Sequence, residues 1–279
     1  MTMATLPIAI TQGDPAGIGP EIIAKAFRDA PDVTRGCFVA GDVATLRRAA
    51  KFITGPGQVG LPVAEIRTAS EALEVPPRCI PVLPVLQAPE LVQVGVISAS
   101  AGRMAADCVT WAARAALRGD IAALVTAPLH KEALAAAGVD FPGHTELLQA
   151  EAAAHLGRPV QEVPVRMMLA NDELKTVLVS IHLSLREAIA AVTTDNVLQT
   201  LRLTHEFLLR TSTPGQTRRR IGVAGLNPHA GEGGLFGREE LDIILPAMEQ
   251  ARREGIDVQG PFAPDTVFMR ARARDAQPG

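Results

Sequence analysis

The residues best suited to chemistry lie in the segment GLNPHAGEGGLFGREE, which occupies positions 225–240. Asn227, His229 and Glu232 stand there among glycines, directly after RIGVAG, an apolar run that predicts a strand. A neutral imidazole is a common ligand for divalent metals, and glycines let a backbone turn closely around a bound ion. An ordinary loop before a helix is the alternative, but this density of polar groups favours a functional site.

A second polar cluster occurs in TAPLHK and, shortly after it, in GHTELL. His144 and Thr145 open a predicted helix, where free backbone N–H groups, a hydroxyl and an imidazole suit a phosphate or a carboxylate. His130 and Lys131 lie upstream, beside a short predicted helix. The alternative is that Thr145 only caps its helix and His144 is a surface residue, and the spacing leaves both interpretations open.

Two further stretches have both a structural and a functional interpretation. His182 follows the apolar run KTVLVSI, and a lone histidine at a strand end is often structural. TQGDPAGIGPE, at positions 11–21, joins a predicted strand to a predicted helix, and its glycines permit close backbone approach to a ligand. It is not the GxGxxG fingerprint of dinucleotide binding. The helix dipole alone would explain acidic Asp14 and Glu21 at the helix start.

Predicted strands and helices alternate along the chain, which indicates an α/β fold. Thr126, His182 and Asn227–His229 each follow a predicted strand, so we expect them at one ligand-binding edge of a parallel sheet. The segment 55–94 is rich in proline and glycine, and its stretch VPPRCIPVLPVLQAPE, at positions 75–90, predicts extended, partly edge-strand structure. Residues 185–211 predict two helices, with Thr194 as the cap of the second.

Composition excludes several classes of protein. The chain has 279 residues, 47% of them hydrophobic, which allows one large or two modest domains. A net charge of −3, no tyrosine and the single Trp111 argue against nucleic-acid binding. There is no apolar stretch of about 18 residues, so no membrane span is expected, and the N-terminus does not resemble a signal peptide. Three scattered cysteines favour a reducing, cytoplasmic location.

The motifs GDPAGIGPE, TAPLHK with GHTELL, VSIHLSLREA and GLNPHAGEGGLFGREE, in this order, resemble the 4-hydroxythreonine-4-phosphate dehydrogenase family of vitamin B6 synthesis. The likeness extends from about Ile8 to Phe268. It implies the two-domain α/β fold of isocitrate and isopropylmalate dehydrogenases, with an interdomain cleft. On that basis we expect a first domain of residues 1–128 and 262–279 and a second of residues 129–261, which has the metal and substrate motifs and dimer contacts.

The resemblance also implies roles for individual residues. His182 and His229 would be two of three histidines that bind a divalent metal, which the sequence leaves open as zinc, magnesium, cobalt or manganese. His144 and Thr145 would hold the phosphorylated substrate, and Asp265 matches an aspartate of the substrate pocket. Lys131 and Asp265 are the candidates for proton transfer. The family resemblance further implies a homodimer with shared active sites.

The expected reaction is metal-dependent oxidation of 4-phosphooxy-L-threonine by NAD or NADP. The product is a β-keto acid that decarboxylates to 3-amino-2-oxopropyl phosphate. Threonate or erythronate 4-phosphate is an alternative substrate within the family. The cis-dihydrodiol dehydrogenase of terephthalate breakdown is also a relative, but GHTE argues for a phosphorylated substrate.

The end of the sequence departs from the family pattern. After DTVFMR it reads ARARDAQPG, without the YHDQG motif that supplies the third metal histidine or the loop for the adenosine of NAD. A truncated, non-catalytic homologue is therefore a further alternative. As written, the chain would lack part of the first domain, and we expect it to be poorly soluble and without dehydrogenase activity.

Overall fold

The computed structural model describes residues 6–86, 91–141, 143–211 and 220–275. For residues 273–275 it describes the backbone only. The chain forms two compact units, Met1–Val163 and Pro164–Gly279. Each unit has its own buried apolar core. They are described separately below.

Strands and helices alternate in the first unit, which confirms the predicted α/β class. The strands are β1 (Ile8–Thr11), β2 (Cys37–Gly41), β3 (Val63–Glu65), β4 (Ile80–Pro84) and β5 (Ala123–Thr126). The helices are α1 (Gly19–Asp29), α2 (Val43–Phe52), α3 (Ala99–Arg118), α4 (Lys131–Ala136) and α5 (His144–Leu156). Asp42 caps α2 by accepting the Thr45 N–H at 2.7 Å, and Gly119 ends α3 in the left-handed conformation.

The five strands form one parallel sheet in the order β3-β4-β2-β1-β5. Side chains of α1 and α2 cover one face and those of α3 the other, so the sheet is buried on both sides. Because β1 lies between β2 and β5, the strand order reverses at β1. In open parallel sheets, ligands bind at the carboxyl edge beside such a reversal.

The Pro- and Gly-rich segment differs from its prediction in one respect. Its strand β4, in VPPRCIPVLPVLQAPE, pairs with both β2 and β3, so it lies inside the sheet. The expected edge position is therefore wrong for this stretch; the edge strand on this side is β3, earlier in the same segment. Proline is tolerated in the interior strand because neighbouring residues donate the inter-strand hydrogen bonds that proline cannot. For example, the Ile80 N–H donates to the Pro62 carbonyl at 2.9 Å.

The second unit contains four strands and four α-helices among its described residues. The strands are β6 (Met168–Ala170), β7 (Lys175–Val177), β8 (Ile221–Ala224) and β9 (Val258–Phe262). The helices are α6 (Leu185–Ala190), α7 (Thr194–Thr211), α8 (Leu245–Arg253) and α9 (Val267–Asp275). α7 and α8 bury apolar side chains against the parallel pair β8-β9.

β6 and β7 form a separate antiparallel pair. The Asn171 side chain accepts the N–H groups of Glu173 and Leu174 at 2.9 and 2.7 Å, which closes a tight turn between the strands. A connection this short joins antiparallel strands only. Thr126, His182 and Asn227–His229 therefore follow strands of three different sheets, and the prediction that they share one sheet edge is wrong.

The start of α7 also differs in detail from its prediction. The expected cap was Thr194, but the Thr193 hydroxyl accepts the Asn196 N–H at 3.2 Å. The Thr194 hydroxyl instead donates to the carbonyl of Ile243 at 3.3 Å. The split into two helices near these residues is confirmed.

The boundary between the two compact units, after Val163, lies later in the chain than the predicted domain boundary between residues 128 and 129. α4 and α5 pack on α3, so residues 131–156 belong to the first compact unit. The domain assignment taken from the resemblance stays a prediction. Over the described ranges, none of the helices combines the length and apolar character that crossing a bilayer requires.

Candidate functional site

In the first unit, the loops after β1 and β5 are joined directly at the strand-order reversal. The Asp14 N–H donates to the Pro128 carbonyl at 2.9 Å. Gly13 has a φ of 70°, and a Cβ there would lie 2.5 Å from the Pro128 oxygen. Only glycine permits this approach, so TQGDPAG meets APLHK at the ligand-binding edge of the sheet.

Arg48 of α2 holds the loop after β1 in place. Its guanidinium donates to the carbonyls of Val92 and Pro15 at 2.5 and 2.9 Å. Asp14 is buried, and its carboxylate accepts the Ala16 N–H at 2.8 Å. Asp14 therefore stabilises the turn itself, which supports the structural interpretation of that residue.

His144 is the first residue of α5 and is half-buried. Burial lowers the pKa of its imidazole below the ordinary value, and a hydrogen bond with the backbone of Ala127 only partly opposes this shift. The buried Nε2 of His144 and the buried Nδ1 of His130 have no hydrogen-bond partner within the described ranges. Buried polar atoms are normally paired, so these nitrogens are open to a ligand and, when protonated, could donate to an anion.

Thr145 does not have the purely structural role that the sequence left open. Gly143 occupies the cap position of α5, and no side chain caps that end. Thr145 lies inside the first turn and is exposed. Both its hydroxyl and the free N–H groups of the turn are thus available to a ligand.

Lys131 begins α4, and its side chain is exposed. The helix behind it is packed unusually tightly on α3. A Cβ at Gly102 would lie 1.9 Å from the Ala133 carbonyl oxygen, and the Arg103 guanidinium donates to the Ala137 carbonyl at 2.5 Å. Backbone packing therefore holds the start of α4 beside the loop after β5.

In the second unit, the residues after β8 form a left-handed loop, defined here as residues 228–234. His229, Ala230 and Glu232 have φ values of 54°, 54° and 42°, and Gly231 and Gly233 are left-handed as well. The left-handed conformation costs about 1–2 kcal/mol for each residue with a side chain. Surrounding contacts must offset this cost.

Glu240, which is only 2% exposed, makes contacts directly before this loop. Its Oε1 accepts the N–H groups of Leu226 and Asn227, both at 2.7 Å, and its Oε2 accepts the Asn227 side-chain amide at 2.9 Å. Burial by itself raises the pKa of Glu240. The hydrogen bonds from Asn227 and from the backbone outweigh it and hold that pKa below its ordinary value.

The predicted metal and proton-transfer residues of this unit are exposed. The His229 ring contacts Phe236, with 5.9 Å between ring centroids. His182 lies after the end of β7, with a φ of 56°, just before the Ser184–Glu187 capping box that starts α6. Asp265 lies between β9 and α9.

The fit of these residues to a divalent metal is partial. Imidazole is a suitable ligand, and both histidines are accessible. Across the part of the chain that the structure describes, however, no group of three or more His, Cys, Asp or Glu side chains could hold a metal ion. The described residues therefore supply single ligands and not a complete shell.

The sequence did not single out Glu240 or Gly102. GREE at a helix start is what the helix dipole alone would favour, so the charge of Glu240 gave no distinctive signal. Gly102 stands in an alanine-rich helix, where its missing side chain is inconspicuous. Their contacts depend on elements that are distant in sequence, and only the folded chain brings these elements together.

The sequence profile described as pyridoxal phosphate biosynthetic protein PdxA matches residues 33–277. The chain is 47% identical over 272 residues to a 4-hydroxythreonine-4-phosphate dehydrogenase of Beijerinckia indica, covering 98% of this chain and 76% of the relative. It is 44% identical over 279 residues to a D-threonate 4-phosphate dehydrogenase of Salmonella typhimurium, covering 96% and 78% of the two proteins.

A crystal structure of a 4-hydroxythreonine-4-phosphate dehydrogenase from Burkholderia phymatum has a TM-score of 0.83. Its sequence is 36% identical, and the match covers 98% of this chain and 78% of that one. Both the sequence and the fold thus agree with the resemblance inferred from the motifs. The chain belongs to the PdxA family of pyridoxal phosphate biosynthetic proteins.

Proposed function

We propose that this chain is an NAD- or NADP-dependent oxidoreductase that converts 4-phosphooxy-L-threonine to 3-amino-2-oxopropyl phosphate in vitamin B6 biosynthesis. The relatives named above act, by their names, on hydroxy acids with a 4-phosphate. The structural observation that most supports this proposal is His144, with an unpartnered buried Nε2 at the start of α5. Such a group is suited to binding a phosphate.

Phosphate binding is the role of the first unit in this proposal. His144 and Thr145 would donate hydrogen bonds from the imidazole and the hydroxyl, and the first turn of α5 would add backbone N–H groups. The phosphate is remote from the carbon that is oxidised. Its binding energy therefore serves orientation more than chemistry.

The second unit would provide the metal ligands His182 and His229. A bound divalent ion would polarise the substrate hydroxyl as a Lewis acid, and the nicotinamide would accept the hydride. The zinc, magnesium, cobalt and manganese alternatives stay open. Because the described residues form no three-ligand group, further ligands must come from elsewhere, such as water or substrate.

Two proton transfers remain for side chains of the chain. Oxidation removes a hydride from the carbon and a proton from its hydroxyl, which leaves a β-keto acid. Loss of carbon dioxide then requires a proton at the carbon that bore the carboxylate. Lys131 and Asp265 are the proposed groups, and both are exposed and could exchange protons with solvent.

D-Threonate 4-phosphate is the second candidate substrate, because a relative with that name is 44% identical to this chain. The two substrates differ at the carbon that bears an amino group in one and a hydroxyl in the other. Both keep the 4-phosphate, so the proposed role of His144 and Thr145 is the same for either.

The finer points of assembly are also proposals. The family resemblance supports a homodimer with shared active sites and the two-domain isocitrate dehydrogenase-like fold, with residues 129–261 as its second domain. Cys37, Cys79 and Cys108 are free and buried, which agrees with a reducing compartment such as the cytoplasm.

The test is a substrate panel followed by formation of NADH or NADPH, with each candidate metal added in turn. We expect turnover of 4-phosphooxy-L-threonine or D-threonate 4-phosphate, and much slower turnover of the same acids without phosphate. Absence of cofactor reduction with every phosphorylated acid, from protein shown to be folded, would refute the proposal and favour the alternative of a truncated, non-catalytic homologue. The faster substrate decides between the two candidates.

A further inference from the structure

The buried carboxylate of Glu240 lies at the centre of the chain turn that includes His229. Before the histidine, it accepts hydrogen bonds from the N–H groups of Leu226 and Asn227. It meets the chain after the histidine at Gly231, where a Cβ would lie 2.6 Å from Oε2. The backbone on both sides of His229 is therefore packed against one side chain.

Glycines make this packing possible both before and after His229. A Cβ at Gly225 would lie 3.1 Å from Oε1 and 2.9 Å from the Cα of Ala230. The Asn227 side chain also donates to Glu239 at 2.7 Å, so it is held between two carboxylates. The backbone before and after His229 thus packs closely against the Glu240 carboxylate.

Glu240 has no ion-pair partner among the described residues, since none of the salt bridges found there includes it. A buried charge without a counter-ion is unfavourable unless hydrogen bonds replace its hydration. Here the donors are the backbone amides of Leu226 and Asn227 and the side-chain amide of Asn227, directly before the left-handed loop. The carboxylate is therefore satisfied only when these two residues keep their observed conformation.

We infer that Glu240 is a positioning residue for His229: it orders the left-handed loop before any ligand binds, so that the imidazole is presented in one orientation. The inference rests on the proposed function in so far as His229 is taken to be a metal ligand. Groups that orient a metal ligand typically contribute 10- to 100-fold, in order of magnitude, to metal affinity. Glu240 acts through the backbone and does not itself touch the reacting atoms.

The test uses Glu240→Gln, which keeps the size of the side chain but replaces one acceptor by a donor. The matched control is Glu249→Gln, on the exposed face of α8, which removes the same charge. Two quantities are measured on each folded protein. One is hydrogen exchange of the Leu226 and Asn227 amides without metal, and the other is the affinity for Co²⁺ alone, by calorimetry.

In Glu240→Gln we expect faster exchange of both amides and a Co²⁺ affinity lower by about 10- to 100-fold. Glu249→Gln should match the unchanged protein in both. If Glu240→Gln does not fold, Asn227→Ala replaces it; that variant retains the two backbone bonds to Oε1, and a smaller change of the same sign is expected.

The possible failures are distinguishable. If the unchanged protein does not bind Co²⁺, the metal proposal fails, and the exchange rates alone decide whether Glu240 orders the loop. If it binds Co²⁺ and Glu240→Gln binds equally well, the positioning role is refuted. Slower or equal exchange at Leu226 and Asn227 in the variant would refute it too.

Discussion

The two groups of proposed site residues are held in place by different means. Around His144, the loops after β1 and β5 meet backbone to backbone, and glycine at position 13 is what permits the contact. Around His229, the two residues that lead into the left-handed loop are hydrogen-bonded to the single side chain of Glu240. The backbone contact near His144 requires that no side chain occupies position 13, whereas the chain near His229 is held by the hydrogen bonds of one carboxylate. Substitutions at the two places can therefore test each kind of support independently.

The largest effect on turnover is expected from His229→Ala. Loss of a metal ligand should lower kcat by about 10³-fold or more, because Lewis-acid polarisation contributes several kcal/mol. The side chain is exposed, so the thermal midpoint should change little. The matched control is His155→Ala, an exposed histidine at the end of α5. A His229→Ala protein that keeps most of its activity with metal present would contradict the assignment.

The largest effect on stability is expected from Gly13→Ala. The new Cβ would enforce a strained φ and a 2.5 Å approach to Pro128, so the free energy of unfolding should fall by about 2–5 kcal/mol. Gly57 is the control: its φ is 75°, but its Cβ would meet nothing within 4 Å. Gly57→Ala should therefore cost only about 1–2 kcal/mol.

Urea unfolding followed by the fluorescence of Trp111 measures this difference. Trp111 is the single tryptophan of the chain and packs edge-on against Phe38 of the same unit, with 6.1 Å between ring centroids. Equal destabilisation by the two alanine variants would show that the close approach to Pro128 is unimportant.

A smaller effect is expected from Thr145→Val. Removing a hydroxyl that binds a charged phosphate should raise KM for the phosphorylated substrate by about 5- to 150-fold, equivalent to about 1–3 kcal/mol. Thr211→Val, at the end of α7, serves as the control. If KM is unchanged in Thr145→Val, the hydroxyl does not contact the phosphate.

The smallest effect concerns the pH dependence of His144. Because burial lowers its pKa in the folded protein below the ordinary 6.5, the unfolded chain takes up a proton first as the pH falls. Stability from this group is present above about pH 6.5 and is lost as the pH falls towards the folded pKa.

Proton NMR of the His144 ring measures this titration directly. We expect a midpoint below the ordinary 6.5 in the free protein, and an upward shift when inorganic phosphate binds, since an anion favours the imidazolium. An upward-shifted midpoint without ligand would mean that burial does not dominate.

The alternation of strands and helices was predictable from the sequence because it depends on local apolar periodicity. The edge position given to the segment with β4 was not correct, since strand order depends on pairing between distant segments. The same holds for His182. Its apolar run resembles a long strand, but the Asn171 turn makes a short antiparallel pair, and the chain leaves it after Val177.

The residue types of the candidate site were predictable from the sequence, but the contacts that hold them in place were not. The glycines of positions 225–234 indicated a tight loop, yet nothing local showed that His229, Ala230 and Glu232 are themselves left-handed. We infer that this conformation depends on Glu240, whose hydrogen-bond partners Leu226 and Asn227 lie 14 and 13 residues earlier in the chain. Burial of a charge is a property of the fold and has no signature in composition.

The most direct test of the proposed division of roles is the preference for phosphorylated over unphosphorylated substrate. It is measured as the ratio of kcat/KM for 4-phosphooxy-L-threonine to that for 4-hydroxy-L-threonine in three proteins: unchanged, His144→Gln and His229→Ala. We predict that His144→Gln lowers this ratio by about tenfold or more, because it removes a donor to the phosphate. His229→Ala should lower turnover of either acid without removing the preference. A ratio unchanged in His144→Gln, or abolished by His229→Ala, would contradict the account.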